Sequence, residues 1–311
     1  MKKLIFNLII AFMTTLCINA QQISVVSSSG ATTIYRTIQD AVDKAAPGSV
    51  VYLPGGGFGG VTITKKLTVI GIGHYIKGEN VDGITSINGD FTFGEGSDGS
   101  AIMGCYITGK VNVSANDILI RYCNFNGLNV TTASYQGTIV NQNYIRNYNY
   151  CSDASVEFSN NIMYGYIRSN SNGLVKNNVF ENNGYRIFSL CHNLQIVDNI
   201  FFSNRVGLFE SSDNLTYSGN MGYYIECEYQ MTDIDWNDVF ENYNNGAISP
   251  ASKFHFKGDY KKYENICGIY AGSGFNDDQL APAPYIVAKQ IDDHTDTQGM
   301  LNVKFRVKAN Q

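Results

Sequence analysis

The 311-residue sequence predicts an all-β chain folded as a right-handed parallel β-helix, a solenoid of stacked coils. Three observations predict this fold: a short apolar–Asn–apolar pattern repeats along the chain, apolar residues alternate around each instance, and the composition suits strands. The chain has 31 Gly and 21 Tyr but only 5 Pro, and 16% of its residues are charged. Such a composition favours short strands joined by tight turns over helices.

The repeat is centred on an Asn or Cys, with an aliphatic or aromatic residue three positions earlier and usually another apolar residue two positions later. Successive centres are separated by 17 to 21 residues, a solenoid period. The seven centres are Cys105, Cys123, Asn143, Asn161, Asn178, Asn199 and Asn220.

A coil of this length holds three short strands joined by turns, and coils stack about 4.8 Å apart, which gives three parallel sheets around one core. An Asn at a fixed turn tolerates a left-handed backbone, and its amide can bond the amides above and below it. The seven centres are therefore predicted to form a structural ladder inside one edge of the solenoid, with Cys105 and Cys123 as its first two rungs.

The first 20 residues have the features of a secretory signal peptide: Lys2 and Lys3, a short apolar run from Leu4 to Leu16, and Ala20 before the expected cut. The protein is therefore expected to be secreted, and to work in the periplasm, at the cell surface or outside the cell. Losing two lysines takes the net charge from −5 to −7, which argues against nucleic acid as the partner. No later apolar run reaches about 18 residues, so the chain is not expected to span a membrane.

Residues 21–275 are assigned to the β-helix domain. Within it, residues 37–46 are predicted to form an amphipathic helix, with Thr37 as its N-cap and Pro47 and Gly48 after its end. Such a helix would cover the open apolar end of the solenoid, as terminal repeats must. Residues 276–311 are assigned to a linker and a C-terminal strand tail.

The stretch TIQDAVDKAAPGSVVYLPGG followed by KKLTVIGIG resembles the start of the pectin-lyase-like β-helix superfamily, and the resemblance covers roughly residues 33–275. The segment ICGIYAGSGF is similar to the closing coils of secreted Bacteroidetes β-helix proteins. The resemblance implies the fold. It does not fix the activity, because the superfamily includes lyases, hydrolases, esterases and binding proteins.

The third strand of each coil is predicted to form the sheet in which superfamily enzymes keep their groove. Spacing places Arg168 and Arg186 one coil apart on its outer face, near Tyr148, Tyr150 and Tyr166. Guanidinium groups bind carboxylates at two points, and tyrosine rings suit the apolar side of sugars. These five residues are the predicted glycan-binding site, with a polysaccharide as the partner. The alternative is that they are ordinary solvated strand residues.

Three acidic residues, Glu210, Glu226 and Glu228, are the candidates for a Ca²⁺ site, since Ca²⁺ takes six to eight oxygen ligands. The alternative is a solvated acidic edge. No other cofactor is predicted, and the histidines show no metal-binding spacing. The best glycosidase pairs would be Glu226 with Glu228 and Glu210 with Glu226, which are weak matches to a carboxylate pair flanking a glycosidic bond.

Three classes of function follow from these residues. The first is a non-catalytic glycan-binding protein, the second is a polysaccharide lyase or glycoside hydrolase, and the third is a structural or partner-docking module.

The C-terminal tail ends in a strand from Leu301 to Lys308, in which apolar and polar residues alternate. It is expected either to cap the solenoid or to join the sheet of another protein, such as an envelope protein.

Overall fold

The computed structural model describes residues 22–75, 83–181, 186–202, 207–224, 226–231, 235–243, 249, 252–277, 284–291, 295, 298, 300 and 303–309. The predicted signal peptide and residues 281–283 of the predicted linker lie outside this part of the chain.

The described residues contain two short α-helices, one 3₁₀-helix and 29 strands. The helices are α1 (Ile38–Lys44), α2 (Trp236–Val239) and the 3₁₀-helix Gly258–Tyr263. The first fifteen strands are β1 (Ile23–Val26), β2 (Thr32–Tyr35), β3 (Ser49–Leu53), β4 (Gly56–Ile63), β5 (Leu67–Gly71), β6 (Thr85–Phe93), β7 (Ala101–Met103), β8 (Tyr106–Ile107), β9 (Val111–Val113), β10 (Leu119–Arg121), β11 (Asn124–Phe125), β12 (Leu128–Val130), β13 (Thr138–Asn141), β14 (Tyr144–Ile145) and β15 (Asn149–Tyr150). The others are β16 (Val156–Ser159), β17 (Ile162–Tyr164), β18 (Ile167–Arg168), β19 (Leu174–Lys176), β20 (Val179–Glu181), β21 (Phe188–Ser189), β22 (Gln195–Val197), β23 (Ile200–Phe201), β24 (Phe209–Glu210), β25 (Thr216–Ser218), β26 (Met221–Gly222), β27 (Tyr229–Gln230), β28 (Pro284–Ile291) and β29 (Val303–Ala309).

The strands stack in parallel as a β-helix of about 8 turns, which confirms the predicted fold class. Each regular coil contributes one strand to each of three faces. The first face runs β3-β5-β7-β10-β13-β16-β19-β22-β25, and antiparallel β1 and β2 extend it at the N-terminal end. The second face runs β8-β11-β14-β17-β20-β23-β26, and the third runs β9-β12-β15-β18-β21-β24.

The second and third faces are one hydrogen-bonded sheet, where separate sheets were predicted. Strand β6 is long enough to pass around the corner between them, so its start pairs with β8 and its end pairs with β9. This 16-stranded sheet stands opposite the 11-stranded sheet of the first face.

Inward-facing side chains of the three faces fill the solenoid with apolar groups. Large rings dominate the interior, and Phe91, Phe125, Phe158, Phe180 and Phe201 are fully buried. Burial of one such side chain contributes about 1.5–3 kcal/mol, so the stack of coils is held chiefly by this column.

Helix α1 covers the N-terminal end of the column, as predicted. The Thr37 hydroxyl accepts a hydrogen bond from the backbone N–H of Asp40 at 3.1 Å, which caps the helix. Its apolar side buries Ile38, Ala41 and Val42 in the same core as the coils. Among the described residues, no helix is both long and apolar enough to cross a membrane.

In its described residues, the segment from Trp236 to Phe275 does not form further coils, although the resemblance of ICGIYAGSGF predicted closing coils. It folds back along the outer side of the second face and buries a second apolar cluster there. Apolar side chains that the second face points outward, such as Ile162, Val179 and Ile200, pack in this cluster against Trp236 and Phe254. An apolar outer face must be covered, and this segment is the part of the chain that covers it.

The C-terminal tail forms an antiparallel hairpin of β28 and β29, with an irregularity between Ile286 and Ala288. The sequence predicted the last strand of the tail but not its pairing with β28. The hairpin is a two-stranded sheet of its own and belongs to neither solenoid sheet. Docking of this hairpin on an envelope protein stays a prediction.

Candidate functional site

The five ladder asparagines lie in one buried column at the corner between the first and second faces. Side-chain amides link Asn143, Asn161, Asn178, Asn199 and Asn220 in order, each Nδ2 or backbone N–H donating to the Oδ1 of the next at 2.9–3.1 Å. All five side chains are buried. The column therefore satisfies its own polar groups inside the solenoid.

The left-handed backbone at this corner belongs to the residue before each rung, and not to the rung itself as predicted. Gln142, Asn160, Asn177 and Asp198 have φ between 53° and 56°, whereas the ladder asparagines do not have positive φ. The rung asparagines are thus selected for their side-chain bonds, and the preceding polar residues make the turn.

Cysteine takes the same place in the first two rungs. The Cys123 backbone N–H donates to Asn143 Oδ1 at 2.9 Å, and its thiol donates to the Arg121 carbonyl at 3.2 Å. The Cys105 thiol donates to the Met103 carbonyl at 3.5 Å. Burial raises the pKa of the Cys123 thiol to about 12, so it stays protonated at neutral pH.

The predicted glycan site lies on the third face, where strand register sets the neighbours. Tyr150 pairs with Asn129 on one side and with Arg168 on the other, and Arg168 pairs in turn with Ser189. The outward row is completed by Asn112, before Asn129, and by Glu210, after Ser189. Along the row, two amides are followed by an aromatic ring, a guanidinium, a hydroxyl and finally a carboxylate.

Three of the predicted tyrosines meet at the centre of this row. The rings of Tyr148 and Tyr166 are stacked with centroids 4.3 Å apart, and the hydroxyls of Tyr150 and Tyr166 lie 3.2 Å apart. The Arg168 guanidinium lies over the Tyr150 ring, 5.8 Å from its centroid. All four side chains are partly exposed. We call these four residues the tyrosine surface.

Burial raises the pKa of Tyr166 to about 12, and the hydrogen bond with Tyr150 acts in the same direction. The hydroxyl of Tyr166 therefore stays neutral and able to donate a hydrogen bond across the physiological pH range.

Arg186 does not stand beside Arg168. The register pairs Ile167 with Phe188, a step of 21 residues, so Arg168 faces Ser189. Arg186 lies two residues before Phe188, outside the row, with its guanidinium against the backbone of Gly207. Arg168 and Arg186 are 18 residues apart, which is the length of the coil from Tyr150 to Arg168. The next coil, from Arg168 to Ser189, is 21 residues long, so Arg186 does not reach the position beside Arg168.

The three glutamates of the predicted Ca²⁺ site do not come together. Glu210 ends β24 on the third face, where its Oε2 accepts a bond from the Ser189 hydroxyl at 3.0 Å. Glu228 lies at the corner between the first and second faces, where it accepts a bond from the Gly219 N–H at 3.0 Å.

The reason is that the described residues of the segment 223–228 form no strand on the third face: after them the chain enters β27, which pairs with β26 on the second face. No strand register of the described residues places Glu226 beside Glu210, so the predicted glycosidase pair of Glu210 with Glu226 stays a prediction. In the described part of the chain, no group of three His, Cys, Asp or Glu side chains is arranged to hold a metal ion.

The described cysteines, all six after the predicted cut, are free and buried. Burial raises the pKa values of their thiols, to about 11 for Cys191 and about 12 for Cys227. Thiols in such surroundings are poor nucleophiles, so none of them supplies a reactive group.

Sequence reasoning did not predict a polar concavity that the structure shows, lined by Arg121, Tyr122, Gln142 and residues 273–276. It forms because the C-terminal segment returns to this corner, a contact across more than 130 residues of chain.

No protein-family model, curated protein or solved structure matches this chain.

Proposed function

We propose that this protein is an exported, non-catalytic glycan-binding protein built on a pectin-lyase-like β-helix. The observation that carries the proposal is the tyrosine surface: two stacked rings, a third tyrosine joined to them through its hydroxyl, and the Arg168 guanidinium above it. Its ligand is a polysaccharide with uronic-acid residues.

The chemistry of the surface supports this ligand. Tyrosine rings present a flat apolar area for the hydrophobic side of a pyranose ring, while their hydroxyls bond its hydroxyl groups. A guanidinium adds a two-point contact with a carboxylate. The amides of Asn112 and Asn129, joined at 3.2 Å in the same outward row, extend the polar part of the surface along the solenoid axis.

The arrangement of acids supports binding over hydrolysis. A glycosidase needs two carboxyl groups about 5–9.5 Å apart on either side of the scissile bond. Beyond Arg168, the outward row contains the carboxylate of Glu210, which accepts a hydrogen bond from the Ser189 hydroxyl. The proposed role is therefore retention of a glycan at the cell surface or outside the cell.

Calorimetric titration of the chain from residue 21 with polygalacturonate, alginate and hyaluronan tests the proposal. Arg168→Gln should weaken binding of an acidic chain about ten-fold or more, as expected for one lost charge-assisted contact. Tyr148→Ala should weaken it by a similar factor, because it removes one of the two stacked rings.

Arg186→Ala is the matched control. It removes an arginine from the next coil that is not part of the outward row, so the affinity should stay within about two-fold of the wild type. An equal loss of affinity in the Arg168 and Arg186 variants would show that binding depends on the overall charge of the protein and not on a site at Arg168.

Absence of heat with all three polymers would overturn the proposal. Release of shortened or unsaturated products from a bound polymer would instead establish the enzymatic alternative, a lyase or glycoside hydrolase.

A further inference from the structure

The C-terminal segment 267–277, which we call the strap, is fastened along the turns that precede the ladder. The Gly268 N–H donates to the Asp198 carbonyl at 2.8 Å. Two coils earlier, Asn160 Nδ2 donates to the carbonyls of Ile269 and Ala271 at 2.9 and 2.8 Å. One coil earlier again, the Asn276 N–H donates to Gln142 Oε1 at 2.8 Å.

The hydrogen bond to Gln142 is the last one described between the strap and these turns. Beside the next turn, at Tyr122, the strap and the solenoid enclose a concavity. Its walls are Arg121, Tyr122 and Gln142 on the solenoid and residues 273–276 of the strap, and its volume is ≈ 420 Å³. This is within the size range of small-ligand sites.

Arg121 is the only charged residue in that lining. Its guanidinium carbon lies over the Tyr122 ring, 4.6 Å from the centroid, a cation–π contact that holds the group at the wall of the concavity. In the described structure its Nε is buried without a hydrogen-bond partner. The Nε of Arg146 is likewise without a partner, but the Nη atoms of Arg146 donate to the Tyr106 hydroxyl at 3.1 Å and to the Ile107 carbonyl.

Gln142 supplies a second donor. Its Oε1 is taken by the Asn276 N–H, which fixes the orientation of the amide and leaves Nε2 as the donor end. The nearest acid along the strap, Asp277, is already engaged: the Tyr270 hydroxyl donates to it at 2.6 Å and Lys253 lies 3.4 Å away. Among the described residues that line the concavity, the positive charge of Arg121 therefore has no acidic partner.

We propose that this concavity is an anion-binding site for a carboxylate group, held by the Arg121 guanidinium and the Gln142 amide. A planar guanidinium presents a fork of N–H donors that matches the two oxygens of a carboxylate. The site lies at the corner between the first and second faces, away from the third-face tyrosine surface, so it does not rest on the glycan-binding proposal.

Nuclear magnetic resonance titration of the chain from residue 21 tests this site through the Arg121 Nε–Hε signal, assigned by its loss in Arg121→Gln. Acetate, D-glucuronate and inorganic phosphate are added separately at constant ionic strength. Both carboxylates should give saturable shifts, with Kd on the order of 1 mM or weaker, as expected for one small charged contact.

Arg121→Lys keeps the charge but loses the fork, so backbone shifts near Gln142 should require about ten-fold more acetate. Arg121→Gln should raise the required concentration further. Arg36→Gln, which changes an exposed arginine near the N-terminus, should behave as the wild type. Unchanged melting temperatures show that each variant is folded.

Three results would overturn the proposal: no saturable shift with either carboxylate, equal acetate binding by Arg121→Gln, or tighter binding of phosphate than of both carboxylates. The acetate and glucuronate arms separate recognition of the carboxylate alone from recognition of a sugar acid. An Arg168→Gln variant should leave this titration unchanged, so the two proposals can fail independently.

Discussion

Asn199 Oδ1 accepts two hydrogen bonds from Asn178, one from its backbone N–H at 2.9 Å and one from its side-chain Nδ2 at 3.0 Å. One buried oxygen thus joins two successive coils through both backbone and side chain. The same pair of bonds joins Asn161 to Asn178, so each rung is both acceptor and donor. The ladder therefore transmits the effect of losing one rung to the coils on either side.

Asn178→Leu should destabilise the protein by about 1–3 kcal/mol, chiefly because the buried backbone N–H of Asn161 loses its acceptor, Asn178 Oδ1. The Asn161 Nδ2 keeps its bond to the Val140 carbonyl, and the Lys176 carbonyl keeps the Asn160 N–H as a donor. Urea unfolding followed by circular dichroism measures the change.

Asn129→Leu is the control for this substitution, because Asn129 is a partly exposed strand asparagine on the third face. Its loss should cost less than about 1 kcal/mol. Equal effects of the two substitutions would show that the buried ladder has no special role in stability.

Asn160→Gly should release the strap while leaving the coils folded. The glycine keeps the left-handed turn at φ 53° but loses the bonds to Ile269, Ala271 and Ser273. Hydrogen exchange of the amides in 268–276 should become at least ten-fold faster, as expected for more than about 1.4 kcal/mol of local stability.

Asn177→Gly is the matched control, one coil along at the same turn with φ 54°. No hydrogen bond joins its side chain to the described strap residues, so strap exchange should change little. Faster hydrogen exchange of the strap amides in both variants would mean that the turn, and not the Asn160 amide, holds the strap in place.

Asp277→Asn should lower the melting temperature at pH 7, and the difference from the wild type should disappear in acid. Burial raises the pKa of Asp277, but the Tyr270 hydroxyl, His255 and Lys253 together bring it below its ordinary value of 3.8. A carboxyl with a lowered folded-state pKa stabilises the protein above the unfolded pKa and loses that effect as pH falls through the folded pKa.

Melting curves of both proteins from pH 7 to about pH 2 test this, and they should converge at the acid end. A constant difference at every pH would mean that Asp277 acts through packing and hydrogen bonding without its charge.

The six cysteines of the chain from residue 21 should be unreactive towards a thiol reagent at pH 8 while the protein is folded. All six are buried and burial raises their pKa values, to about 12 for Cys123 and about 11 for Cys191. In denaturant without reductant, all six should react. A Ser29→Cys variant, with an exposed added thiol, should show one fast equivalent; fewer than six thiols in the denatured wild type would reveal disulfides.

Removal of residues 278–311 should leave the melting temperature of the solenoid within about 2 °C of the full chain, because the tail strands pair with each other and join neither solenoid sheet. Scanning calorimetry and light scattering of the two proteins measure stability and self-association. A lower melting temperature together with oligomers would show that the hairpin is a cap.

The sequence by itself determined the fold, because in a solenoid each coil needs only local strands and a regular period. The buried rungs from Asn143 to Asn220 were readable since each coil presents the same chemistry at the same place. Helix α1 was readable because its cap, at Thr37, and its apolar side lie within nine residues of one another.

Only the tertiary structure decided which residues share a surface. Coil lengths differ, so the spacing that places Arg168 beside Tyr150 does not place Arg186 beside Arg168. For Glu228 the difference is larger, since this residue lies at the corner between the first and second faces. The strap and the concavity at Arg121 depend on contacts such as that between Gln142 and Asn276, 134 positions apart. No local pattern encodes such a contact, because it forms only when the folded second face offers an apolar surface for the returning chain to cover.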